Sequence, residues 1–360
     1  MTPEVPHSPA VPRLATDPTF ARQSASSPEG AFDGFDSIRQ AASAIAKDAE
    51  LVRVNYDAVQ AYAGQLATID AMHLPGEALD AQRWYLDDPL GAAAFALCVN
   101  CLNFGSGYFP LLKKDSSNSG FNTVAAGLAR YFEQHWPFAP AHLGEIGPAE
   151  VLGILGQSDE RADSLQPLTC EMSTALAELA TLVEARGRTF AAFFAEVATS
   201  PTTLVAALAP LAHYRDGYLV GKTSFMPLKK AQITVADLAR VGMATHSFPG
   251  LIAQKDELTA FADNSVPQVL EADGILTYDP RLRRHIDSGL VLEYGSQAEF
   301  EIRAATIEAV ESIQRHARAW GATHLDSATI DGILWQRKHL PETQAHYRKR
   351  PSHKTTSVFY

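Results

Sequence analysis

The chain has no apolar run of membrane-spanning length, so no transmembrane helix is expected. Cysteine is scarce: Cys98, Cys101 and Cys170 are the three among 360 residues. Cys98 and Cys101 stand three apart in "LCVNCLNF", with no second Cys or His pair at zinc spacing. They read as small buried apolar residues, and no metal site is expected. Basic charge is also short. The formal net charge is -11, which disfavours long polyanions and argues against a surface that coats DNA or RNA. One small phosphate in a local basic pocket remains compatible with that field. There is no GxxxxGK[ST] loop, no GxGxxG fingerprint, no GxSxG elbow and no HExxH pair. The first thirty residues lack a basic start followed by an apolar core, so no signal peptide is expected and a reducing cytoplasm is the expected compartment.

What is present is apolar and helical. The composition is 46% apolar, enough for a large core. Residues 1 to 35 are Pro-rich and poor in large aliphatics, and read as a disordered tail. From Asp36 to Tyr360 the pattern is that of a single, mostly α domain. "DSIRQAASAIAKDAELV" spaces Ile38, Ala41 and Ile45 near the helical period. "DDPLGAAAFALCVNCLNF" is a solid apolar helix behind an Asp-Asp-Pro start. β-branched alternation is rare. "HYRDGYLVGKTSFM" is a candidate hairpin, and the C-terminal "HKTTSVFY" is the best strand candidate.

Candidate chemistry falls in four places. In "SFMPLKKAQITVADLARVG", Lys229 and Lys230 precede a helix expected from about Ala231. Two cations there oppose the macrodipole unless an anion joins them, or they form a solvated pair on a turn. Asp237 lies within that helix, on its wet face or paired with Arg240. In "ELTAFADNSVPQVL", Asp263 stands among apolar residues before a helix that should start after Val266. Either it caps that helix, with Asn264 and Ser265 as rivals for the task, or it is an acid kept for chemistry. "LEYGSQAEFEIRAATIEAVESI" carries Glu299 in a capping box with Ser296, and one of Glu301 and Arg303 is expected to point inward. "VNCLNFGSGYFPLLKK" offers Asn103, Phe104, Tyr108 and Phe109 around two glycines. This is either a tight helix-ending loop or a place where the backbone meets a flat base.

The order of "LKKAQITVADL", "LTAFADNSVPQVL", "LEYGSQAEFEIRAATIEAVESI", "IDGILW" and "HKTTSVFY" resembles the queuosine salvage proteins, which are queuosine 5'-phosphate N-glycosylases that release queuine. The likeness is strong from Tyr214 to Tyr360 and weaker back to "AAAFALCVNCLNF". It implies a helical core similar to the helix-hairpin-helix DNA glycosylases, a free nucleotide as substrate, no cofactor, and a monomer or weak dimer. The family's catalytic carboxylate falls on Asp263, its lysine on Lys229, and its C-terminal His-basic pair on His353 and Lys354. Asp237 and Trp335 also match family positions. With Lys230, these cations are expected at the 5'-phosphate, and Asp237 or Glu301 at the queuine ammonium. Two departures, "GSGYFP" after "LNF" and Asn264 after Asp263, leave open a different base, or a binding protein without catalysis.

Overall fold

The computed structural model describes residues 32–69, 84–114 and 119–360. All but the last four residues of the expected tail lie outside these. Phe32 is half-buried and Phe35 already opens the first helix, packing edge to face on Phe32 at 5.1 Å. The described residues form fifteen α-helices and two short antiparallel ribbons, so the protein is mostly α. Among them, no helix is long and apolar enough to cross a membrane.

The centre is helix α13 (Gln297–Ala319), buried without a break from Ala298 to Gln314. α1 (Phe35–Asp48) lays Ile38, Ala41, Ala42 and Ile45 on one of its sides, and α2 (Tyr56–Leu66) packs beside it. Strand β1 (Val52–Val54) pairs antiparallel with β4 (Leu276–Tyr278), with Val52 opposite Tyr278. α3 (Pro89–Cys101) is the expected apolar helix. Asp88 caps it, accepting the Gly91 N–H at 2.7 Å, and Gly91 to Cys101 are all buried. α3 packs on α9 (Lys229–Thr245), on α4 (Gly120–His135) and on α6 (Ala162–Ala185). The candidate hairpin is present as β2 (Tyr218–Val220) and β3 (Thr223–Phe225).

Three expectations change. Residues 353–360 form no strand. The segment runs as irregular chain across the loop after α3, where Gly107 N–H donates to Thr355 O at 2.8 Å and Gly105 N–H to Tyr360 O at 3.3 Å. The close approach at Gly107 is therefore to the chain's own backbone, since a Cβ there would meet Thr355 O at 2.8 Å. Second, α9 starts at Lys229, and both lysines are buried rather than solvated. Third, Glu301 and Arg303 both point inward, because α13 is enclosed on every side.

The candidate active site

A cavity of about 550 Å³ opens between the loop after α3, the start of α4, the start of α9, the 261–265 segment, α14 (Ser327–His339) and the C-terminal segment. That volume suits a nucleotide-sized ligand. Asn103, Phe104, Lys229, Asp237, Asp263, Asn264, Trp335 and Lys354 all line it.

Asp263 bonds the start of the helix and also faces the cavity. Its Oδ1 accepts the N–H groups of Ser265 (2.7 Å) and Val266 (2.9 Å), at the start of α11 (Val266–Ala272). It remains half-buried on the cavity wall. Two N–H donors fix the carboxyl group in place.

Asp331 is the acid that reading the motifs missed. It sits on α14, only 4% exposed, and lines the same cavity. Its Oδ2 accepts the Phe261 N–H at 2.9 Å. Burial first, and then the charge of Asp263, push its carboxyl up to about 8, so it carries a proton at neutral pH. The signal lay in "IDGILWQRKH": Asp331, Trp335 and Lys338 are spaced i, i+4 and i+7, which is one helix face. All three reach the cavity.

The cations divide. Lys229 extends its Nζ to Asn103 O at 3.0 Å, and burial lowers it to about 8 against the pull of Asp263. Lys230 points away. Its Nζ donates to Cys101 O at 3.1 Å and lies 4.4 Å from the Phe104 ring centroid, behind the wall. Burial lowers it to about 7. Lys354 faces the cavity, whereas its neighbour His353 is buried beneath, 3.5 Å from the Tyr360 hydroxyl, and burial holds it down at about 3 and therefore neutral. Lys114, Lys338 and Arg240 also line the cavity. Burial lowers Lys114, and the neighbouring charge of Lys354 adds to this. Lys338 donates to Ser265 Oγ at 3.0 Å; burial lowers it, opposed by Asp263.

Asp237 is buried and paired, receiving Arg240 at 2.5 Å and Asn100 Nδ2 at 2.7 Å. Trp335 faces the cavity with its ring centroid 4.4 Å from that of His339. Phe109 also lines it and lies over the start of α4, where a Cβ at Gly120 would come within 2.1 Å of its ring. Tyr108 is half-buried outside the lining. Glu301 is outside it too; its carboxylate accepts the N–H groups of Glu50, Leu51 and Val52 at the start of β1. Arg303 lies behind the wall, fully buried.

The profile of the family described as queuosine salvage protein matches residues 85–360. The chain belongs to that family. Its matched span contains all the cavity residues named here. A protein of Sphaerobacter thermophilus named queuosine 5'-phosphate N-glycosylase/hydrolase is 29% identical over 326 residues, covering 88% of this chain and 95% of the relative. Proteins of the same name from Dictyostelium discoideum and Nematostella vectensis are 35% and 34% identical over 150 and 155 residues, covering 44% and 42% of their own lengths. Of the two segments expected to depart from the family pattern, "GSGYFP" lines the cavity with Ser106, Phe109 and Pro110, and Asn264 lines it beside Asp263.

Proposed function

We propose that this protein is a hydrolase that cleaves the N-glycosidic bond of queuosine 5'-phosphate and releases queuine for salvage. The observation that carries the reading is the meeting of Asp263, held by two backbone N–H groups, and the buried Asp331 in one nucleotide-sized cavity of a family member. Cleavage of an N-ribosidic bond develops positive charge on the sugar. A carboxylate held at that position stabilises the charge and orients the attacking water. Water then adds its oxygen to C1' and gives up a proton to Asp263, while the glycosidic nitrogen leaves with the bonding electrons and takes up a proton from a donor. Queuine is a 7-deazapurine and has no N7 to accept one, so a donor aimed at the leaving base matters more. Asp331 holds such a proton.

Lys338, Lys354 and Lys114 suit the 5'-phosphate. None forms an ion pair with a carboxylate among the described residues, so each can give a charge-assisted hydrogen bond to a phosphate. Trp335, Phe109 and Phe104 supply aromatic surface for the base. Asp237 already has Arg240 as its counter-charge, so a substrate ammonium there would share it.

Incubation with queuosine 5'-monophosphate, followed by chromatography of free base, tests the reading. Wild type should release queuine and Asp263→Asn should not, although the Asn Oδ1 can still accept both helix-start N–H groups. Release by neither, from folded protein, would refute the hydrolase reading. Queuosine without the phosphate should react poorly; equal rates on both would remove the phosphate pocket.

A further inference from the structure

Two residues that enter the cavity, Lys229 and Asp263, each follow a non-glycine residue in the left-handed region: Leu228 at φ 47° and Ala262 at φ 42°. Such positions are strained and persist only where the surroundings impose them. One buried ion pair reaches both. Asp216 and Arg303 are 1% and 0% exposed. Arg303 Nη1 and Nη2 grip Asp216 Oδ1 and Oδ2, both at 2.6 Å, as a two-pronged fork. Arg303 Nε donates to the carbonyl of Ala262 at 3.1 Å. Asp216 Oδ2 accepts the Lys229 N–H at 3.0 Å, and Asp216 O accepts the Leu228 N–H at 3.4 Å. Tyr218 OH accepts from Nη1 at 2.5 Å, and the Tyr360 ring lies 4.3 Å from the guanidinium.

We propose that Asp216 and Arg303 are positioning residues that set the placement of Lys229 and Asp263 in the cavity. This rests on the hydrolase reading above. A buried ion pair is a poor stabiliser, because desolvation takes back most of the Coulombic gain, and apolar residues of similar volume do as well. Stability therefore does not require it. What an apolar pair cannot do is hold two strained backbone positions from one rigid centre. The fork is planar and two-pronged, so it transmits orientation as well as distance. Its root lies within the stretch of α13 that is buried without a break, Ala298 to Gln314.

The test uses Arg303→Lys, which keeps charge but loses the fork, and Asp216→Asn, which keeps shape but loses charge. Tyr294→Phe is the mild variant, since the Tyr294 hydroxyl touches Asp216 Oδ1 at 3.5 Å and is half-buried. Turnover of queuosine 5'-monophosphate is measured per folded molecule, well below each Tm. A misplacement of about 1 Å costs roughly 100-fold in rate, so the first two should lose about that in kcat, with KM within about threefold. Tyr294→Phe should lose less, in the same direction. Glu308→Gln, elsewhere on α13 and bonded to Ser312, should lower Tm and leave kcat unchanged. Unchanged kcat in every variant that folds, Tyr294→Phe included, would overturn the proposal. If wild type itself does not turn over, the hydrolase reading fails. The crystal structures of the folded variants then decide: Ala262 must leave the left-handed region, and its retention there would overturn the positioning role.

Discussion

Helices α3 and α13 are both enclosed on all sides, and they reach that state by opposite chemistry. α3 buries Ala92 to Val99 with no charged group, so it needs only space and a capped start. α13 buries Glu299, Glu301, Arg303, Glu308 and Glu311. Each charge has a partner brought from elsewhere in the chain: Glu299 accepts from Tyr218 (2.7 Å) and Tyr360 (2.5 Å), and Glu311 from Ser327 (2.7 Å) and Arg39 (2.9 Å). A buried charge without such partners would be prohibitive. The apolar helix fills the protein, whereas the charged helix ties together β1, the hairpin, α14, the 261–265 segment and the C-terminal segment, the last three of which line the cavity. Changes in α3 should therefore be felt as stability, and changes at the α13 charge that reaches the cavity wall, Arg303, as function.

The largest effect that would sharpen this contrast is at Asp263. Asp263→Asn should lose at least about 1000-fold in turnover, the scale of a single electrostatic contact at a transition state, with Tm almost unmoved. A large fall in Tm instead would make helix capping its main role. The converse belongs to α3. Leu97→Ala should cost about 2–5 kcal/mol in denaturant unfolding and leave kcat of the folded fraction unchanged. Loss of kcat there would break the comparison. Next come the cations: Lys338→Ala and Lys354→Ala should each raise KM about tenfold for the 5'-phosphate, the worth of one charge-assisted hydrogen bond, and change nothing for the nucleoside.

The smallest expected effect is in pH. Asp331 must keep its proton to serve as a donor, so kcat should decline as pH rises through about 8. The stability effect has a definite sign. The folded carboxyl holds its proton up to about 8 and the unfolded one only to its ordinary 3.8, so each rise in pH across that window costs stability. Asp331→Asn still accepts the Phe261 N–H and does not titrate. It should be more stable than wild type at pH 8 to 9 and slower in turnover, readable by thermal unfolding at several pH values.

Much of the fold was legible because helices follow local rules. The run of apolar residues behind Asp88 and Pro89 marks α3 from composition alone. Pro267 marks the start of α11, and the Gly-centred "YLVGKTSF" marks the hairpin. The site was partly legible through motif order, which placed Asp263, Lys229 and Trp335 on one cavity. Lys230 and His353 show the limit, since each is adjacent in sequence to a group with a different fate, and Glu301 is drawn to the N–H groups before β1 by contacts that no motif shows. Lys229 faces the cavity and Lys230 the Phe104 ring, because successive helix positions differ by about 100°.

The sequence by itself determined where the helices run and which carboxylate stands before α11, since capping, proline placement and apolar spacing act over a few residues. Only the tertiary structure decided which charges are buried as struts and which face the cavity. That depends on partners far along the chain. Asp216 and Arg303 are 87 residues apart and Asp263 and Asp331 belong to separate elements. Whether a buried charge is tolerable, and what its neighbour does to its proton, is settled by the groups packed against it in space.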